Sequence, residues 1–334
     1  MITQKLKTDA GGISVACDIL KKGGVVGIPT ETVYGLAASA FDQNAIAKIF
    51  KAKGRPQDNP LIVHIAKLDT LYEIAKDIPK AALACAEKFW PGPLTIVLNK
   101  TDKIPSCVSA GLSTVAVRMP SNEIAREVIL QSGLPLAAPS ANLSGSPSPT
   151  TATHVVTDLD GKIDAVLMGE DCNVGVESTV ITLAGEQPVL LRPGGITLEQ
   201  LREVLPNITV NKAVLSELSA GETAASPGMK YKHYAPKTET YLVEGENFAD
   251  FVNQKANAVA VCFLEESKQI NIPKIVYGQS QNPETLAQGL FAVLREVDKT
   301  GAEEVYIHAP EKSGIGLAVY NRLIRAAAFK VIKI

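Results

Sequence analysis

The chain has no GxxxxGKS/T loop and no GxGxxG turn after a strand, so neither common glycine-rich phosphate loop accounts for a ligand here. It also lacks a GxSxG elbow, which removes the familiar serine-nucleophile arrangement. Its five cysteines, Cys17, Cys85, Cys107, Cys172 and Cys262, show no CxxC spacing, and an odd count excludes a fully paired disulfide framework. The four histidines, His64, His154, His233 and His308, are too scattered for an HxxxH metal helix. Aromatics are scarce, at 5%. No apolar run approaches the roughly 20 residues of a membrane helix. The opening MITQKLKTDAGG lacks the basic and then apolar pattern of a signal peptide. A net charge of -2 gives no overall basic excess of the kind a nucleic-acid binder shows, so any anion site must be local. Unpaired cysteines fit a reducing cytoplasm, which is the expected location.

What is present is ordinary globular material: 334 residues, 46% hydrophobic and 20% charged, too long for one core and suggesting two domains. The spacing predicts helices at 13–22, ending at Gly23-Gly24, at 43–53 and at 80–90. Short apolar runs (GVVGIPT, LIVHI, LTIVLN, VAVRMP, PLAAPS, AVLMG, STVITL, PVLLRPG) read as strands. Several lie too close together for helical crossovers, so the sheet should be mixed. Residues 206–225 are polar and irregular, and SPGMKYKHYAP, with Pro227 and Pro236 near its ends, reads as an ordered linker. Beyond it, strands at 240–244, 258–263, 274–278, 304–309 and 330–334 alternate with helices near 247–256, 283–299 and 316–328. That alternation predicts a separate, smaller, parallel doubly wound domain. The expected division is 1–210, 211–238 and 239–334.

Three loops could carry chemistry. KIFKAKGRPQDNPL holds Lys48, Lys51, Lys53 and Arg55 before any acid, and such a run is strained unless an anion compensates it. Alone it reads as a solvated basic face, but the NPLIVHI strand that follows places it at a strand edge, where ligands tend to sit. PTETVYGL offers the hydroxyls of Thr30, Thr32 and Tyr34, although taken alone it reads better as an N-cap with Thr30 and Glu31 starting a helix. PSANLSGSPSPT concentrates Ser140, Asn142, Ser144, Ser146 and Ser148 around Gly145, suited to ribose or phosphate, although a plain turn-rich surface loop reads as well. Arg118 and Arg192 end apolar strands and should need anionic partners, and GVESTV adds Glu177, Ser178 and Thr179. With no nucleophile in view, positioning and charge stabilisation are the expected means of catalysis.

Taken in order, PTETVYGL, KxKxR with NPLIVHI, PGPLTIVL, VAVRMP, PSANLSG, ESTV and RPG resemble the YrdC-like catalytic domain of threonylcarbamoyl-AMP synthases over about residues 12–205. SPGMKYKHYAP and GLAVYNRLIRAA resemble the linker and C-terminal domain of the longer members. The resemblance implies an α/β fold: a YrdC-like twisted mixed sheet with a basic cleft, plus a smaller Rossmann-like parallel domain. It implies a nucleotidyltransferase converting L-threonine, bicarbonate and ATP to threonylcarbamoyl-AMP and pyrophosphate. A separate threonylcarbamoyl-transferase complex would then modify adenosine 37 of tRNAs reading ANN codons. It implies a threonine site of Thr32, His64, Arg118, Ser178 and the backbone near Ala138. The ATP site would include Lys51, Lys53, Arg55, Asn59, Thr114, Ser140, Ser148, Arg192 and, from the linker, Tyr231. Mg2+ would arrive with ATP rather than on protein side chains. Neither a membrane nor a stably bound nucleic acid is expected. The competing readings are an RNA-binding module or a carbamoyl-transfer module using the same basic cleft. The linker is expected to close over the cleft as a lid.

Overall fold

The computed structural model describes residues 2–57, 59–216 and 234–334. Its first sheet has twelve strands: β1 (Gln4–Leu6), β2 (Val26–Ile28), β3 (Gly35–Ser39), β4 (Ile62–His64), β5 (Ala75–Lys76), β6 (Leu94–Lys100), β7 (Thr114–Arg118), β8 (Leu136–Ala137), β9 (Ala165–Leu167), β10 (Thr179–Thr182), β11 (Val189–Arg192) and β12 (Thr209–Val210). They lie in the order β1-β9-β2-β3-β8-β4-β7-β6-β10-β11-β12, with β5 alongside β6. The sheet is mixed, as the short connections demand. β2–β3 and β10–β11 are antiparallel, while β4–β7 and β6–β10 are parallel. The register sets His64 of β4 beside Arg118 of β7.

Local signals explain most helix boundaries. The helix Ala10–Lys21 begins three residues before the expected 13, because Asp9 caps it by accepting from the Gly12 N–H at 2.9 Å. Gln43–Lys53 forms as expected, capped by Asp42 and closed by Gly54 in the left-handed region.

The second sheet is fully parallel: β13 (Glu239–Glu244), β14 (Ala258–Phe263), β15 (Lys274–Gly278), β16 (Glu304–His308) and β17 (Val331–Lys333), in the order β15-β14-β16-β13-β17. It is Rossmann-like in being parallel and alternately wound, but its fourth strand sits between the second and the first. The expected helix at 247–256 is cut to Phe248–Val252. There Asn253 turns the chain, its side chain donating to the Gln269 carbonyl at 2.8 Å and accepting from the Asn271 N–H at 2.7 Å.

The tail forms its own parallel sheet, as its strand pattern suggested, and packs tightly against the first domain. Its core includes Val33 and Val176 from the first domain. The helix Gly316–Ala326 is buried along its whole length. The helix Pro283–Val297 approaches Gly175 so closely that a Cβ there would lie 2.4 Å from the Ala287 carbonyl. Arg295 of that helix forks onto Asp158 at 2.9 and 2.8 Å and donates to the Pro147 carbonyl at 2.6 Å. Residues 206–216, the described part of the polar stretch, are more ordered than their composition suggests. Ala213 packs against Val97, Ala116, Val180 and Leu191, and the carbonyls of Ala213 and Val214 accept from Arg325 and Asn321.

Candidate active site

A cleft, partly open to solvent, lies where the three sequence-marked loops meet. It is lined by Thr32, His64, Arg118, Ala138 and Ser178 together with Lys53, Arg55, Ser140 and Arg192. Four cations therefore face it, against one lining carboxylate, Glu177.

Strand alternation builds one wall. Arg118, at the end of β7, is buried. Its Nη1 donates to Thr32 Oγ1 at 2.9 Å, its Nε to the Gly92 carbonyl at 3.3 Å, and its Nη2 pairs with Glu31 Oε1 at 2.7 Å. The anionic partner expected for Arg118 is thus already supplied, by the glutamate of PTETVYGL. Burial alone would raise the Glu31 carboxyl, but the Arg118 guanidinium more than offsets this and holds it below the ordinary carboxylate range. His64 is buried beside Arg118, with Nδ1 3.2 Å from the Ile62 carbonyl. Desolvation, with Arg118 adding to it, lowers its pKa to about 3, so it is a neutral polar group at physiological pH.

PTETVYGL forms a tight turn rather than a helix start. Thr30 Oγ1 donates to the Val33 carbonyl at 2.6 Å and lies 2.9 Å from Thr32 Oγ1. Tyr34, offered by the sequence as a ligand hydroxyl, is instead buried and donates to the Glu170 carbonyl at 3.1 Å.

Lys53 is buried, and its Nζ donates to the Ser140 carbonyl and to the Asn142 carbonyl, the latter at 2.7 Å. It ties the basic helix to the PSANLSG loop. Desolvation, then the neighbouring Arg55 charge, push its pKa well below the ordinary lysine value. Lys48 donates to the Gly23 carbonyl at 2.6 Å, and Lys51 is exposed and not among the lining residues. The basic run is therefore divided among three jobs, because successive helical positions face different ways.

On the opposite side, Arg192 Nε and Nη2 donate to the Ser178 carbonyl at 3.1 and 2.9 Å, and Nη2 also reaches Ser178 Oγ at 3.2 Å. Ser178 Oγ lies 2.8 Å from Thr95 Oγ1. The RPG and ESTV segments touch at the backbone: a Cβ on Gly194 would lie 2.3 Å from the Glu177 carbonyl, which only glycine avoids. Glu177 accepts from Ser148 Oγ at 2.7 Å and from Arg322 Nε at 2.8 Å. Burial opposes its charge, and Arg322 followed by Arg192 overcomes that, holding it near 2.

Of the remaining expected residues, Ser148 supports Glu177 rather than lining the cleft. Thr114 opens β7 on the same face as Ala116 and Arg118 but is not among the lining residues. Asn59 is buried and its carbonyl accepts from Arg55 at 3.5 Å, while its Oδ1 has no hydrogen-bond partner among the described residues. Tyr231 and the linker lysines lie outside the described residues. The linker residue seen in the cleft wall is Tyr234, buried, in a left-handed conformation (φ 63°) and 5.3 Å from the Phe291 ring. Tyr234 was absent from the expected site, and Glu177 was noted in GVESTV without a place among the binding residues. ESTV and HYAP carried the signal, a charged and an aromatic residue within otherwise small or apolar segments.

No thiol here is poised as a nucleophile, since burial raises Cys85, Cys172 and Cys262 to about 11, 12 and 11.

The family described as telomere recombination matches residues 18–194, and that described as threonylcarbamoyl-AMP synthase, C-terminal domain, matches 196–328. The threonylcarbamoyl-AMP synthase of Pyrococcus abyssi is 46% identical over 96% of both chains. That of Bacillus subtilis is 43% identical over 99% of this chain and 97% of its own. A crystal structure of P. abyssi Sua5 complexed with L-threonine superposes with a TM-score of 0.91 at 41% identity, covering 100% of each chain.

Proposed function

The chain belongs to the threonylcarbamoyl-AMP synthase family, and we propose that it condenses L-threonine, bicarbonate and ATP into threonylcarbamoyl-AMP and pyrophosphate. The observation that carries this reading is one cleft in which the hydroxyls of Thr32 and Ser178 and a neutral His64 adjoin the cations Lys53, Arg55, Arg118 and Arg192. The first set, with Arg118 for a carboxylate, suits a small polar amino acid, and Arg55 and Arg192 suit a polyphosphate.

In this reading threonine lies along Thr32, His64, Ala138 and Ser178, with its carboxylate toward Arg118. ATP lies toward Arg55, Ser140 and Arg192, which line the cleft. The threonine amine takes up bicarbonate with loss of water to give a carbamate. A carbamate oxygen attacks the α-phosphorus in line with departing pyrophosphate, and the cations stabilise the charge that develops. Mg2+ would arrive on the ATP phosphates and would supply charge neutralisation there. Glu177 is already occupied by Ser148 and Arg322, so the phosphates are the donors that suit the ion. A labile carbamate needs shelter from water, and the buried side chains of the cleft wall supply part of it. The product then passes to a transferase complex acting on tRNA, in the cytoplasm.

Pyrophosphate release tests this reading. It should require threonine and bicarbonate together, need no RNA, and be weaker with serine and weaker still with valine. Equal rates with the three amino acids would contradict the assigned pocket. Dependence on RNA would favour the RNA-binding alternative.

A further inference from the structure

Glu177 is a carboxylate in the wall of a cleft built for anions, and its partner comes from the other domain. The helix Gly316–Ala326 carries Arg322, which is fully buried, into contact with the catalytic sheet. Arg322 Nε donates to one Glu177 oxygen at 2.8 Å, and Ser148 Oγ donates to the other at 2.7 Å. Arg322 is itself steadied by Nη1 donating to Asn321 Oδ1 at 2.8 Å, and Asn321 is tied to the Val214 carbonyl at 2.5 Å. The next residue along, Ser178, receives Arg192 on its carbonyl and hydroxyl. One short segment therefore directs a side chain toward Arg322 and its neighbouring carbonyl toward Arg192. The close approach at Gly194 leaves it little room to shift.

We infer that Arg322 of the C-terminal domain is a positioning residue for the adenylation step, holding Glu177 so that Arg192 keeps its guanidinium on Ser178 and facing the nucleotide. The inference rests on the synthase reading above. Two buried guanidiniums, Arg192 and Arg322, compete for one carboxylate. With Arg322 in place, both Glu177 oxygens are engaged. Remove Arg322, and a buried carboxylate loses its ion-pair partner, which is a strongly unfavourable state. Arg192, whose charge already acts on Glu177, is the cation that would turn to it. The nucleotide then loses a contact although Arg322 never touches it.

The test uses the full-length chain with Arg322→Lys, Arg322→Met and the double variant Arg322→Met/Glu177→Gln. Pyrophosphate release and calorimetric binding of a non-hydrolysable ATP analogue are both measured. Arg322→Met should weaken the analogue and raise the KM for ATP about tenfold or more, with the KM for threonine within about threefold of wild type. Arg322→Lys should restore most of the loss. The double variant should bind the analogue better than Arg322→Met, because the unpaired carboxylate is gone. Unchanged ATP parameters in folded Arg322→Met would overturn the inference, as would equal losses for ATP and threonine that follow only the melting temperature. Should Arg322→Met not fold, the double variant decides: near-wild-type analogue binding supports the inference, and a tenfold loss sinks it. Analogue binding needs no turnover, so a wild-type chain that releases no threonine-dependent pyrophosphate refutes the synthase reading separately.

Discussion

Lys53 Nζ lies 2.7 Å from the Asn142 carbonyl, joining the end of the basic helix to the serine-rich loop across 89 residues of sequence. Lys53 is thus a brace for the serine-rich loop of the cleft, and its charge is directed at carbonyls.

That division of labour predicts different outcomes for neighbouring lysines. Lys53→Met should cut pyrophosphate formation by about a hundredfold, because a loop misplaced by an ångström is enough to do so. Lys51→Ala should stay within about twofold of wild type, since Lys51 is exposed and outside the cleft lining. Arg55→Ala should raise the KM for ATP. Steady-state kinetics on the three variants checks this, and a Lys51 variant as impaired as the Lys53 variant would contradict it.

The Arg118–Glu31 pair predicts a stability effect. Glu31→Gln leaves a buried guanidinium without its anion and should cost about 3 kcal/mol, read from urea unfolding. Acid should act in the same direction on Glu177. Its folded pKa near 2 lies below its ordinary 4.5, so the folded state binds fewer protons than the unfolded state in that window. The stability it contributes is complete above about pH 4.5 and is lost as pH falls toward 2. Unfolding midpoints measured between pH 6 and 3 should fall, and should fall less steeply in Glu177→Gln.

His64 provides a second pH test. With a folded pKa near 3 against an ordinary 6.5, it stays neutral in the folded protein while the unfolded chain takes up a proton. It therefore costs stability below pH 6.5 and nothing above. Its ring resonances in NMR should not move between pH 5 and 8. A midpoint near 6.5 would show that the ring is not desolvated as described.

Much of this was legible in the sequence because it depends on local patterns. Loops after apolar strands marked Thr32 and Ser140, strand ends marked Arg118 and Ser178, and all of them line the cleft. Alternating strand and helix signals marked the parallel sheet of the tail. What the sequence did not disclose depends on long-range pairing. Nothing near Arg118 points to Glu31, and nothing in ESTV points to Arg322, 145 residues away. A spacing rule places a lysine on a helix face, but it does not say whether that face meets a phosphate, a carbonyl or water. Residues 206–225 read as polar and irregular because, in the described part, buried Ile208, Ala213 and Val214 are too few to form a pattern.

The shared core predicts that the catalytic half is not an independent unit. Truncation after Val210 removes Ala213, Val214 and Arg322 and uncovers Val33 and Val176. The truncated chain should be less soluble and melt lower than the full chain, and its remaining pyrophosphate release should show a raised KM for ATP. Full activity with unchanged melting would reduce the tail to an appendage.

The most direct test of the central claim is mass spectrometry of the product formed by full-length protein from ATP, threonine and 13C-labelled bicarbonate, quenched rapidly. The account predicts threonylcarbamoyl-AMP one mass unit heavier than with unlabelled bicarbonate, formed together with pyrophosphate and absent when threonine is omitted. An adenylate that lacks the label, or ATP hydrolysed to ADP and phosphate with no adenylate, would contradict it.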